Sequence, residues 1–505
     1  MKIDELARLL NATAVAGRLD QDACDVTHDS RACGPGSVFV AVRGMKVDAH
    51  RFIPQAIASG AVAIISEQSR ATGGENNDVS AGEILDRAAW IEVADARAAL
   101  AEAAAAVHGY PSERLKLVGI TGTNGKTTTA HLIDSIIRAA EGTSAMFGTI
   151  NHRIGDREET ARNTTPEAAD IQRMLAEAVR EGCRSAVMEI SSHALELRRA
   201  QGLKLAAAVF TNLTRDHLDY HKTMESYFAA KKKMFDGSLG STPGACILNL
   251  DDEHGRRLID EAEGKAITYG FDPSADVSTT DFELTGEGMA FIASTPAGQV
   301  EIASPLVGRP HVYNTLAAIA TGLALGFGLE AARRGVAECQ LVRGRFEQVR
   351  LIDSRQPDFT VIVDYAHTDD ALKNVLQTAR EVAGNSGRVI TVFGCGGDRD
   401  RTKRAPMGEI AARLSDVAIV TSDNPRSEDP VAIIEDIEVG LKRTERSYVK
   451  LPDRREAIFR AIDEARAGDV VLIAGKGHET YQILGDRTIH FDDSEVAREA
   501  IAGRE

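Results

Sequence analysis

Leu115-Lys-Leu-Val-Gly-Ile-Thr-Gly-Thr-Asn-Gly-Lys-Thr-Thr128 is the stretch on which the reading of the fold turns. From Leu115 to Thr121 the run is mostly apolar and, past Lys116, shows no polar alternation, which predicts a strand buried on both faces. From Thr127 to Ala140 apolar residues recur at helical spacing. Between the two, Gly122 and Gly125 let backbone N–H groups approach phosphate oxygens, and the start of the helix adds a positive dipole. Lys126 can reach the β and γ oxygens of a nucleotide, and the Thr127 hydroxyl is a ligand type for Mg²⁺. The strict phosphate-loop spacing would put a glycine at 120, where Ile120 stands, so this loop is a variant. Strand, loop and helix in that order predict an α/β protein that binds a nucleotide.

The same pattern continues on both sides. Ser185–Ser191 and Leu205–Thr211 read as further strands, and so do Phe359–Asp364, Arg388–Phe393, Val417–Thr421 and Asp469–Ala474 in the last third. Continuous apolar runs separated by helix-length patterns predict parallel sheets covered by helices. Each run ends in polar or glycine residues, and in such sheets the ligand crevice lies outside the carboxyl ends of the strands. A chain of 505 residues is too long for one core, and its length suggests roughly three domains. The alanine-rich helix pattern ending before His108–Ser112 and the fresh start near Val342–Arg345 place the boundaries at 1–112, 113–341 and 342–505. The polar stretch 70–81 reads as a surface loop.

Apolar residues at 43% and charged residues at 27% exclude a largely disordered chain. No apolar run reaches the ~18 residues of a membrane span, and Asp4 and Glu5 stand where an export signal would be basic. The net charge of −16 argues against a general nucleic-acid or anionic-membrane binder. Any anionic substrate must therefore be held by glycine loops and local arginines. Six scattered cysteines without a CxxC pair suggest neither a disulfide framework nor a zinc site. The expectation is a cytoplasmic protein.

The loop Thr121-Gly-Thr-Asn-Gly-Lys-Thr-Thr128 resembles the ATP loop of the Mur ligase family, shared with folylpolyglutamate synthetases. The resemblance extends from Asp29-Ser-Arg31 through Asn163-Thr-Thr-Pro166, Met188-Glu-Ile-Ser-Ser-His-Ala-Leu195, Thr211-Asn-Leu-Thr-Arg-Asp-His-Leu-Asp-Tyr-His221 and Asp423-Asn-Pro-Arg426 to Gly475-Lys-Gly-His-Glu479. It implies a small N-terminal UDP-binding α/β domain, a central ATPase-like, mostly parallel sheet and a C-terminal Rossmann-like domain. It implies an ATP-dependent amide ligase of peptidoglycan precursor synthesis, most similar to members that add meso-diaminopimelate to UDP-N-acetylmuramoyl-L-alanyl-D-glutamate. The alternative is a lysine-adding member.

Residue by residue, the resemblance implies that Gly122, Thr123, Asn124, Gly125, Lys126, Thr127 and Thr128 bind ATP, with His311, Asn314, Arg345 and Asp364 around adenine and ribose. Thr127, Glu189, His217 and Lys231 would hold Mg²⁺, two ions in all, and Lys231 would carry an N-carbamate. Carbamylation needs an uncharged amine, and the cations at 232 and 233 would help lower its pKa. Ser30, Lys46 and Asp48 would meet the UDP end. Asn163, Thr164, Thr165, Ser191 and Arg199 would hold the muramoyl peptide. For the amine, Arg399 would hold a carboxylate and Glu479 an ammonium, with Asp423, Asn424, Pro425 and Gly475 beside them. The Arg426 guanidinium would take the second carboxylate that distinguishes diaminopimelate from lysine. Leu197 stands where the family often has glutamine, Asp369 where proline is common and His311 where asparagine is frequent. A monomer is expected.

Overall fold

The computed structural model describes residues 1–44, 47–69, 87–285, 288–340, 342–351 and 356–504. Lys46 and the loop read at 70–81 lie outside the described residues. Three main sheets carry the architecture. In the first, Ala14–Ala16 runs antiparallel to Ala89–Glu92, and Ala63–Ser66, Ser37–Val40 and Asp25–Thr27 follow in parallel. The second has twelve strands. Its centre is parallel, in the order Ala245–Asn249, Ala207–Phe210, Lys116–Thr121, Ser185–Glu189, Ala145–Phe147, and antiparallel hairpins extend both edges. In the third, Glu347–Gln348 pairs antiparallel with Thr360–Asp364. Val470–Ala474, Val389–Phe393, Val417–Val420 and Tyr448–Lys450 then follow in parallel.

The central strand shows why its sequence lacks alternation. Val118 and Ile120 enter a core with the helices Lys126–Glu141 and Arg309–Ala324. Leu117 enters another with Ala168–Arg180 and Met224–Lys232. Successive side chains point to opposite faces, and both faces are covered, so Leu117 to Ile120 are all buried and carry no polar side chain, while Lys116 at the start is exposed. Burial of a side chain of this size contributes about 1.5–3 kcal/mol, which explains why both faces are filled. The sequence readings Leu115–Thr121 and Thr127–Ala140 become the strand Lys116–Thr121 and the helix Lys126–Glu141.

Register then positions the chemistry. Glu189 pairs with Ile120, and Phe210 with Thr121, so three neighbouring strands finish on one rim. In the third sheet Asp364 pairs with Ala474, one residue before Gly475. No helix among the described residues is long and apolar enough to cross a membrane.

Candidate functional site

The phosphate loop is shaped by two glycines whose replacement nothing around them would allow. Gly122 has φ 145°, and a Cβ there would lie 1.9 Å from Thr211 Oγ1; Gly125 has φ 86°, and its Cβ would lie 2.5 Å from Asn314 Oδ1. Gly125 caps the helix Lys126–Glu141, whose first N–H groups open toward the loop. Lys126 Nζ donates to the carbonyls of Gly122 at 3.0 Å and Thr123 at 2.9 Å. Burial lowers its pKa, with Glu189 acting against that and Arg345 adding to it. The loop is tied down at its flanks: Thr123 Oγ1 donates to the Thr214 carbonyl, and the Asn124 N–H to Asn212 Oδ1.

Beside the loop stands Glu189, nearly fully buried at the end of its strand. Its Oε2 accepts from Thr127 Oγ1 and Thr149 Oγ1, both at 3.0 Å, and its Oε1 from the Thr149 N–H at 2.8 Å. Lys231 Nζ is buried, donates to the Gly122 carbonyl at 2.8 Å and lies 4.5 Å from the Tyr227 ring centre. Burial pushes this amine well below its ordinary pKa, and the Lys126 ammonium pushes it further. Here the structure corrects the expected cause. Lys232 and Lys233 turn away to pair with Glu261 and Glu196, each at 2.8 Å.

His217 has φ 55° and sits 3.3 Å from Asp216. Burial lowers the pKa of the His217 ring; burial also works against ionisation of Asp216, but the positive charge that His367 and His217 would carry when protonated, with Lys403, brings its pKa down. A hydroxyl, a carboxylate, a neutral imidazole and a low-pKa amine able to take up CO₂ fit a hard cation. Among the described residues no three His, Cys, Asp or Glu side chains converge as a ready-made metal site, so phosphates and water would supply the remaining ligands.

Thr123–Thr128, Glu189, His217, His311, Asn314, Arg345 and Asp364 line one cavity of about 1370 Å³, together with Asn163, Thr164, Thr165, Ser191, Arg199 and Arg399. Arg345 reaches across from the C-terminal part of the chain, donating to Thr127 Oγ1 at 3.2 Å, and stacks on Tyr365. Burial, then Arg345, brings His311 down to about 4, and burial pushes Asp364 up. The 163–165 segment is stitched to the end of the Glu189 strand. Thr165 Oγ1 donates to the Glu189 carbonyl and accepts from the Ser191 N–H, both at 3.0 Å, and Arg199 donates to the Thr165 carbonyl at 3.1 Å.

A second cavity of about 1020 Å³ adjoins the first, sharing Asn163, Thr164 and Arg399 and adding Glu479 and Tyr481. Glu479 Oε2 accepts from Asn424 Nδ2 at 2.7 Å and lies 3.4 Å from Lys476 Nζ. Burial, reinforced by Asp423, raises its pKa. Gly475 has φ 118°, and a Cβ there would lie 2.7 Å from Asp423 Oδ2. Asp423, Asn424 and Pro425 are buried, and the half-buried Arg426 donates from Nη1 to the Gly397 carbonyl at 2.8 Å. These turn residues stand behind Glu479 rather than on either cavity wall.

Ser30 and Asp48 lie in the first sheet's region, away from both cavities. Ser30 Oγ donates to Gln55 Oε1 at 2.9 Å, and Asp48 accepts from the His50 N–H at 3.0 Å while also meeting its ring. Sequence reasoning missed Thr149 as a clamp on Glu189 and His367 as a partner of Asp216. Position after an apolar strand was the available signal for Thr149; His367 gave none beyond its place in Tyr365-Ala-His-Thr368.

Three family models match the chain: the Mur ligase family catalytic domain at residues 25–108, the Mur ligase middle domain at 120–322 and the Mur ligase glutamate ligase domain at 344–477. The UDP-N-acetylmuramoyl-L-alanyl-D-glutamate–2,6-diaminopimelate ligase of Solibacter usitatus is 50% identical over 95% of this chain and 93% of its own length. Its counterpart of the same name from Geobacillus thermodenitrificans is 46% identical over 100% of both. A solved structure of a ligase of that name superposes with a TM-score of 0.68 at 33% identity, covering 100% of this chain and 99% of the other. The MurF ligase of Thermotoga maritima in complex with ADP shares the fold, with a TM-score of 0.62 at 17% identity over 95% of this chain and 96% of its own. With its phosphate loop, its three sheets and half its residues in common with a relative of nearly full length, the chain belongs to the Mur ligase family.

Proposed function

We propose that the protein joins an amine of meso-diaminopimelate to the side-chain carboxylate of D-glutamate in UDP-N-acetylmuramoyl-L-alanyl-D-glutamate, cleaving ATP to ADP and phosphate. The observation that carries this reading is that the two cavities adjoin, with Asn163, Thr164 and Arg399 in the walls of both. A carboxylate phosphorylated at the first lies open to an amine entering from the second. The D-glutamate carboxylate attacks the γ-phosphorus, the bond to ADP breaks, and an acyl phosphate forms. The amine then attacks the acyl carbon, the bond to phosphate breaks, and the amine gives up a proton.

The chain's own groups divide this work. Loop N–H groups, the helix start and Lys126 hold the phosphates and offset the charge between two anions. Asn163, Thr164, Thr165, Ser191 and Arg199 orient the peptide, and Ser30, Lys46 and Asp48 meet its UDP end. Thr127, Glu189, His217 and carbamylated Lys231 would hold two Mg²⁺ ions, which supply charge neutralisation when bound. Arg399 takes one amine-side carboxylate, Glu479 an ammonium, and Arg426 the distal carboxylate, with Asp423, Asn424, Pro425 and Gly475 shaping the turn around them. Domains at 1–112, 113–341 and 342–505 would let the last close over the acyl phosphate and keep water out. The six free thiols suit a reducing compartment such as the cytoplasm, where the protein would work as a monomer.

Phosphate release from ATP and the UDP-muramoyl dipeptide, with meso-diaminopimelate or L-lysine as the amine, tests the reading. Diaminopimelate should be preferred by at least about 100-fold, since lysine brings no second carboxylate for the Arg426 guanidinium to bind. Turnover with lysine alone would identify the protein as a lysine-adding ligase instead.

A further inference from the structure

The strands Tyr481–Leu484 and Arg487–His490 form a hairpin whose second strand is exposed throughout. In the first strand a single residue is buried, and it is polar: Gln482, 6% exposed. A packing position would ordinarily take an apolar side chain, and a buried amide persists only where it has a partner. The partner here is the backbone of the amine-selecting turn. Gln482 Nε2 donates to the Asp423 carbonyl at 2.7 Å.

Three further bonds continue the same seam. The Ile483 N–H donates to Asn424 Oδ1 at 2.9 Å, the Arg426 N–H to the Ile483 carbonyl at 3.1 Å, and the Gly485 N–H to the Arg426 carbonyl at 2.8 Å. The seam is needed because the turn is an unusual one. Pro425 has no N–H to anchor it. Arg426 takes a left-handed φ of 53°, a conformation that residues with long side chains keep only when their surroundings impose it. Gln482 is the hairpin side chain that anchors the turn ahead of the proline, while backbone groups anchor it after.

We propose that Gln482 is a positioning residue for amine selection: its amide holds the Asp423–Arg426 turn against the hairpin and so sets the direction in which the Arg426 guanidinium is presented. This rests on the reading of Arg426 as the group that takes the distal carboxylate. Gln482→Met keeps the length and burial of the side chain and removes the donor. Gln482→Glu keeps its shape and sets an acceptor against the Asp423 carbonyl, and it is read in the same way should the methionine variant not fold.

Two rates separate positioning from general damage. One is ligation of meso-diaminopimelate. The other is capture of the activated glutamyl group by hydroxylamine, a small amine with no carboxylate for Arg426 to bind. The expected result is a rise of about tenfold in KM for diaminopimelate, with hydroxylamine capture and KM for ATP within about twofold of the wild type. Equal slowing with both amines, or an unchanged KM for diaminopimelate, overturns the proposal. Arg426→Ala is measured alongside. If it leaves KM for diaminopimelate unchanged, the amine-pocket reading itself falls; if it raises KM while the Gln482 variants do not, only the positioning role falls.

Discussion

Glu189 satisfies three donors with two oxygens, and two of those donors are hydroxyls that can turn round and accept. Glu189→Gln therefore keeps a full set of hydrogen bonds and should unfold within about 2 °C of the wild type. What it loses is the negative charge beside the phosphate loop. Turnover should fall at least about 100-fold, equivalent to ~2.7 kcal/mol of transition-state stabilisation, and should need more Mg²⁺ for half-maximal rate. Phosphate release across a magnesium series checks this, and near-normal turnover would remove Glu189 from the ligand set. Its candidacy was legible in the sequence because a carboxylate closing an apolar strand faces the rim by the geometry of parallel sheets. Thr149 was legible only as a residue that follows a short apolar strand, not as a partner of Glu189. It reaches Glu189 only because Ala145–Phe147 pairs beside Ser185–Glu189, a long-range match that no local pattern announces.

At the scale of the element, the helix Met224–Lys232 shows where pattern reading stops. Lys231, Lys232 and Lys233 follow one another at about 100° per residue, so three charges spread around most of the circumference. Charge alone does not say which faces inward. Tyr227, one turn before Lys231, shares its buried face, and that i,i+4 relation was the available signal. The depressed pKa expected from Lys232 and Lys233 is present, but from burial and Lys126 instead. Removing a desolvated amine relieves a penalty larger than the ~0.5–1.5 kcal/mol of its hydrogen bond to Gly122. Lys231→Met should thus unfold no lower than the wild type in calorimetry while losing ligase activity at least about 100-fold. A fall of more than about 5 °C would show that the amine's contacts outweigh its desolvation.

The three α/β sheets were legible across the whole molecule because apolar runs and glycine loops are local features, whereas the arrangement of the sheets depends on single contacts between distant residues. Two such contacts join the phosphate-loop region to the start of the helix Asp369–Ala383. Asn124 Nδ2 donates to Asp370 Oδ2 at 3.1 Å, and Arg215 pairs with Asp369 at 3.0 Å. Asp369 opens that helix, and what its pair with Arg215 joins could not be read before the helix was placed. Partly exposed contacts of this kind contribute about 0.2–1 kcal/mol each. The pair together can bias the balance between open and closed arrangements by up to a factor of ~30. Asp369→Ala combined with Asp370→Ala should therefore enlarge the radius of gyration in small-angle X-ray scattering of the free protein. It should also raise KM for ATP severalfold, because Asn124 belongs to the loop that takes the phosphates. Scattering that superposes on the wild type, with KM for ATP unchanged, would mean that the two aspartates do not govern how the C-terminal sheet meets the nucleotide loop.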